Sequence, residues 1–193
     1  MLPDYREYPA VRFPVFVEDA ARAVSWARAH AAANGGDPQR MFVAGHSAGA
    51  HIAALLGTDA RYLSAVGLAP RDLAGVIAIA GPHDFLPITD PDIAEIFGPP
   101  DRYPQSQPVN FVDGDEPPFL PLHGRDDDLV RPRESESLAA KLQAAGIPCE
   151  LKLYPDVGHI RILAAMDLSY RRLAPTLDDV AGFVARTRAG TTQ

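Results

Sequence analysis

Phe42-Val43-Ala44-Gly45-His46-Ser47-Ala48-Gly49-Ala50-His51 is the stretch on which the reading of this chain turns. Met41 to Ala44 is an apolar run too short for a helix, so it reads as a buried parallel strand. From Ala48 to Leu56 alanine and leucine dominate, which favours a helix, and Gly57 is placed to end it. Between the two, Gly45 and Gly49 bracket Ser47 in a G-x-S-x-G turn. Such a turn lifts a serine hydroxyl above the sheet, and side chains two residues to either side would collide with one another. Glycine at both positions is therefore what presenting a nucleophile demands.

Working outward, the flanks alternate helix and strand signals. Val17, Ala20, Ala21, Val24, Ala27 and Ala31 are spaced as one helix face over 15–33, after Pro14 and before Asn34-Gly35-Gly36. Arg28 falls on that stripe and is expected to lay its stem along apolar surface with its charge in water. Val76 to Ala80 reads as a second buried strand and Phe119 to His123 as a third, although Pro121 within it cannot donate to a ladder and usually marks an edge or a bulge. Glu134 to Ala145 is helical, capped by Gly146; Cys149 to Tyr154 is a fourth strand; a last helix runs from Leu177 to Arg186 before a polar tail. Strands alternating with helices at these lengths imply βαβ units, hence a parallel sheet with right-handed crossovers.

Of the 19 prolines, 10 lie between Pro82 and Pro121, which marks 81–118 as an irregular insertion in one domain spanning 1–193. Its apolar residues, Phe85, Leu86, Ile93, Ile96, Phe97 and Phe111, either wall a pocket as a lid or pack over the sheet.

Net charge is −7 without a basic run, which argues against nucleic acid or an anionic membrane as the main partner and leaves small molecules. The single cysteine, Cys149, excludes an internal disulfide, and no histidine and carboxylate cluster or phosphate loop points to a metal or cofactor. Met1 to Arg6 has neither a basic segment nor an apolar run, so the cytoplasm is the expected compartment of the chain as given; a longer natural amino terminus carrying a signal would export it.

Three chemically capable groups then fall into line. Ser47, the acidic run Asp126-Asp127-Asp128 and His159 each follow a strand, so a parallel sheet brings all three to its carboxyl edge. A serine nucleophile needs a base with a pKa near neutrality and an acid to hold that base in the right tautomer, roles suited to His159 and to one carboxylate of the run. Spacing alone does not choose which. The order Ser, Asp, His is the one stated for hydrolases with an elbow serine.

On these residues the chain resembles the α/β-hydrolase superfamily, and more narrowly the bacterial carboxylesterases related to hormone-sensitive lipase and to feruloyl and acetyl-xylan esterases. The carrying motifs are Asp4-Tyr5-Arg6, Gly35-Gly36-Asp37-Pro38, Gly45-His46-Ser47-Ala48-Gly49, His123-Gly124-Arg125-Asp126-Asp127 and Tyr154-Pro155-Asp156-Val157-Gly158-His159. The resemblance implies a three-layer αβα parallel-sheet fold and a serine hydrolase of small carboxylic esters with Ser47, Asp127 and His159 catalytic. It implies the Ala48 N–H at the oxyanion, no cofactor, and a substrate pocket touching His46, Phe85, Leu86 and Ile160.

The front of the chain departs from that family, whose members carry strands and a His-Gly-Gly type loop upstream of the Asp-Tyr-Arg motif. Two expectations follow: the oxyanion hole keeps only Ala48, and the elbow strand becomes an exposed apolar edge through which copies self-associate. The alternative to an esterase is an inactive or weakly active fragment or binding module that keeps the three groups.

Overall fold

The computed structural model describes residues 1–187. Four strands, β1 (Phe42–His46), β2 (Gly75–Ile79), β3 (Phe119–Gly124) and β4 (Lys152–Tyr154), form one sheet in the order β1-β2-β3-β4, all parallel. Phe42 sits opposite Gly75 and Ile77 opposite Leu120. The polar tail at 188–193 lies outside the described residues.

Alternation along the strands divides the core. Val76 and Phe119 point to one face, where α1 (Val15–His30), α2 (Ala48–Thr58), α3 (Ala60–Ser64) and α5 (Arg133–Ala144) contribute Val17, Leu55, Leu63 and Leu138. Ile77, Ile79, Leu120 and Leu122 point to the other, against Ile162 of α6 (His159–Ala164) and Phe183 of α7 (Thr176–Arg186). The outcome is the expected three-layer αβα arrangement with the sheet buried between helices. On α1 the buried residues are Phe16, Val17, Ala21 and Val24; Arg28 reaches Asp72 at 3.4 Å rather than bulk water alone.

Two expectations are corrected by packing. Gly57 does not end α2, which runs on to Thr58; a Cβ there would lie 2.7 Å from both Phe119 and Val76. Glycine is present because the helix presses onto the sheet, not because the chain turns. Pro121 lies within an interior strand rather than at an edge. Phe119 donates to Pro148 and accepts from Glu150, so by alternation the N–H that Pro121 lacks would also face β4. The ladder is interrupted there, with an isolated bridge at Phe119–Cys149 and pairing resumed only at Leu122–Lys152.

The insertion packs against helices. Phe97, in α4 (Pro91–Phe97), lies 5.6 Å from Phe13, 6.2 Å from Phe16 and 5.2 Å from Phe85 between ring centroids. Buried polar contacts pin the segment: the Gln107 side chain accepts from the Phe85 N–H at 2.8 Å, and Glu134 of α5 accepts from the Asp84 N–H at 2.7 Å. With its polar groups satisfied this way, an irregular segment can be buried.

Among the described residues β1 pairs only with β2, so it is the edge strand expected from the sequence. By alternation the backbone groups of Phe42, Ala44 and His46 face away from β2, since Met41 and Ser47 bond toward it. Ala44 is exposed, and a groove of about 430 Å³ runs beside the strand between α1 and α2, with Met1, Leu2, Pro3 and Gly49 among its walls. Arg6 of the Asp-Tyr-Arg motif is engaged locally, forking onto Asp19 of α1 at 2.9 and 2.8 Å.

Candidate active site

Ser47 occupies the turn between β1 and α2 with φ 55° and ψ −119°, a backbone state costly for a residue with a Cβ. Its own N–H bonds to the Ile79 carbonyl at 2.9 Å, and its carbonyl accepts from the Ala50 and His51 N–H groups at 3.0 and 3.1 Å. The turn is thus gripped from both sides. Gly45 is indispensable to it, because a Cβ there would lie 2.1 Å from the Gly49 carbonyl oxygen. Gly49 itself is different: a Cβ there would meet nothing within 4 Å, so the collision expected on both sides of Ser47 exists on one.

A second close approach aligns the other two groups. At Gly124, the last residue of β3, a Cβ would lie 2.0 Å from the Val157 carbonyl oxygen. The loops after β3 and β4 are stitched together there by Arg125 N–H to the Tyr154 carbonyl at 2.8 Å and Asp126 N–H to the Val157 carbonyl at 3.1 Å. Asp127 and His159 are held to one another through this seam.

The result is a continuous hydrogen-bonded line. His159 Nε2 lies 2.9 Å from Ser47 Oγ, and His159 Nδ1 lies 2.7 Å from Asp127 Oδ2. A carboxylate only accepts, so Nδ1 carries the proton and Nε2 is free to accept from the serine hydroxyl. Asp127 is 2% exposed, whereas Asp126 and Asp128 are exposed at the surface. Its second oxygen, Oδ1, accepts from the Leu129 and Val130 N–H groups at 3.1 and 2.9 Å, so the buried charge is satisfied on both oxygens. His159 is the first residue of the short helix α6, not a loop residue. Ala48 opens α2, and its N–H has no intrahelical acceptor to bond.

The expected pocket residues divide. The His46 ring lies tilted against that of His159 with centroids 4.6 Å apart, and Ile160, 67% exposed, follows His159 directly in the chain. Phe85 instead joins His51 and Phe97 in the aromatic cluster, 5.6 and 5.2 Å away, and Leu86 beside it is half-buried.

Sequence reasoning placed His123 in the motif that bears the acid but assigned its side chain no part beside Asp127. Wholly buried at the end of β3, its Nε2 donates to the Val130 carbonyl at 2.9 Å and lies 3.3 Å from Asp127 Oδ2, while Nδ1 accepts from the Ser135 hydroxyl at 2.7 Å. Burial lowers its pKa, so it serves as a neutral donor. Its place at the head of the motif His123-Gly124-Arg125-Asp126-Asp127, four residues before Asp127, was the available signal. Among the described residues no group of three or more His, Cys, Asp or Glu is placed to hold a metal ion, and no helix is long and apolar enough to cross a membrane.

Comparison with known proteins gives the family. The profile of the BD-FAE family matches residues 1–142. The chain belongs to the BD-FAE family. Esterase LipQ of Mycobacterium tuberculosis is 29% identical over 97% of this chain and 48% of its own length. The probable carboxylic ester hydrolase LipM of the same organism is 30% identical over 72% of this chain and 36% of its own. Among solved structures, the acetyl ester-xyloside bifunctional hydrolase from Caldicellulosiruptor lactoaceticus superposes with a TM-score of 0.74 at 26% identity, covering 93% of this chain and 70% of that one. This BD-FAE member has the α/β-hydrolase fold and is related to carboxylesterases. It spans about half, or less, of the length of these two curated relatives. Each of these relatives carries an esterase or hydrolase name.

Proposed function

We propose that this BD-FAE protein hydrolyses small carboxylic esters by a serine mechanism, with Ser47 as nucleophile, His159 as general base and acid, and Asp127 as the group that orients His159. The observation that carries the reading is the line from Ser47 Oγ through both nitrogens of His159 to Asp127, at 2.9 and 2.7 Å. As Ser47 Oγ attacks the ester carbonyl, its proton passes to His159 Nε2 and the carbonyl oxygen becomes an oxyanion facing the Ala48 N–H. The imidazolium, steadied by Asp127, then gives that proton to the leaving alcohol, and an acyl group remains on Ser47. Water activated by the same nitrogen releases the acid and restores the serine. Ala48 supplies a backbone donor to the oxyanion, and one such donor is worth roughly 10²–10³ in turnover.

Fluorophosphonate labelling tests the proposal. Covalent modification at Ser47, abolished in Ser47→Ala, is the expected result. A folded protein that stays unlabelled would overturn it. Comparing acetyl, longer acyl, thioester and aminoacyl substrates then defines the acyl class, which a serine, a histidine and an aspartate do not determine.

A further inference from the structure

His46, expected in the substrate pocket, makes its side-chain contacts with His159. It is the last residue of β1 and immediately precedes Ser47. Its Nε2 lies 2.9 Å from the backbone carbonyl oxygen of His159, a bond between residues 113 apart in the chain. A carbonyl only accepts, so Nε2 carries the proton and His46 is the donor. The ring lies against the His159 ring at 4.6 Å and 47°. One side chain therefore grips both the backbone and the ring face of the residue that must meet Ser47.

That grip answers a mechanical need. α6 is six residues long, Gly158 at its start offers no side-chain cap, and Ile160 and Leu163 leave its outer side exposed. Inward, Ile162 is fully buried, but it anchors the helix one turn beyond His159. At His159 itself, apart from the line to Ser47 and Asp127, the side-chain tether among the described residues is His46. Burial lowers the His46 pKa, which keeps the ring neutral and its donor in place near neutral pH. The charged and titratable groups around it are His159 and, beyond that ring, Asp127 and His123.

We propose that His46 is a positioning residue: it sets the distance and orientation of His159 toward Ser47 by bonding the His159 carbonyl from the strand that carries the nucleophile. The proposal rests on the serine mechanism above for its kinetic consequence, but not for its structural one. Misplacement of a reacting group by about 1 Å costs on the order of 10²-fold.

The test uses His46→Phe, which keeps a ring and removes the donor, and His46→Gln, which keeps an N–H donor. The phenylalanine variant is expected to lower kcat about 10- to 100-fold with KM nearly unchanged, and the glutamine variant to recover most of the loss. Independently of activity, the far-downfield proton NMR signal of His159 Nδ1–H against Asp127 should shift or broaden in His46→Phe and return in His46→Gln. A rise in KM with kcat intact would mean a substrate-pocket role and overturn the proposal, as would an unchanged Nδ1–H signal in a folded His46→Phe. Should the parent protein resist fluorophosphonate while the NMR signal responds as described, the esterase reading fails and the positioning role stands.

Discussion

Lowering the pH from 7 to 5 should destabilise this protein through a histidine that lies outside the proposed chemistry. His51, on α2 one turn after Ser47, is buried, donates Nε2–H to the Ser106 carbonyl at 2.6 Å, and packs edge-on against Phe85 and Phe97. Burial pulls its pKa from 6.5 down to about 4. Folding therefore binds the neutral form, and the unfolded chain takes up a proton that the folded one refuses. The stability this ring contributes is complete above pH 6.5 and falls as pH drops from there toward 4. By linkage the loss between pH 7 and pH 5 is about 2 kcal/mol, a sizeable part of the ~5–15 kcal/mol typical of a domain. His83 acts with the same sign, since burial lowers its pKa well below the usual value and both ring nitrogens lack partners among the described residues. The assay is urea unfolding of the parent and of His51→Gln at both pH values. Glutamine keeps a donor for Ser106 but cannot titrate, and contributions from carboxylates cancel in the comparison. The parent should lose about 2 kcal/mol more than the variant between pH 7 and 5. Equal losses in the two proteins would refute the reasoning.

Two further outcomes follow from the geometry. Gly124→Ala places a methyl group 2.0 Å from the Val157 carbonyl oxygen, where backbone and not a pliable side chain must yield. Overpacking of that kind costs about 3 kcal/mol, so thermal unfolding should move down by roughly 6–12 °C and fluorophosphonate labelling of any folded fraction should slow. On the open edge of β1, Ala44→Lys puts a charge where a second copy would pair; light scattering across a concentration series should show less self-association than in the parent, with stability within ~0.5 kcal/mol.

Much of the sheet and its flanking helices could be read from local pattern. The α1 stripe, the three apolar runs, the alternating segment Cys149–Tyr154 and the helix over Glu134–Ala145 depend on local patterns that neighbours reinforce, and they recur in the structure within a residue or two at most boundaries. Readings that failed concern features whose cause is distant in sequence. Gly57 is governed by Phe119 and Val76, across the α2–sheet contact, so a local rule that glycine ends helices misassigned it. Pro121 is tolerated inside the sheet because its missing donor faces the gap before β4 resumes, which no window around the proline reveals. α4 and α6 escaped notice for another reason: both are under eight residues and too short to show a helical period.

The sequence by itself determined that a serine, a histidine and an acidic run would meet at one edge of a parallel sheet, because strand-end position and chain order are properties a linear reading carries. It left the acid open among three adjacent aspartates by spacing, and a family resemblance favoured Asp127. Tertiary structure separated them by burial: the seam at Gly124 and Val157 turns Asp127 inward to His159 and leaves Asp126 and Asp128 in water. Only the fold, likewise, brought the His46 side chain to the His159 carbonyl, since that depends on where a backbone group 113 residues away comes to rest. Local chemistry travels with the residue; orientation depends on contacts between segments remote in the chain, and those exist only once it has folded.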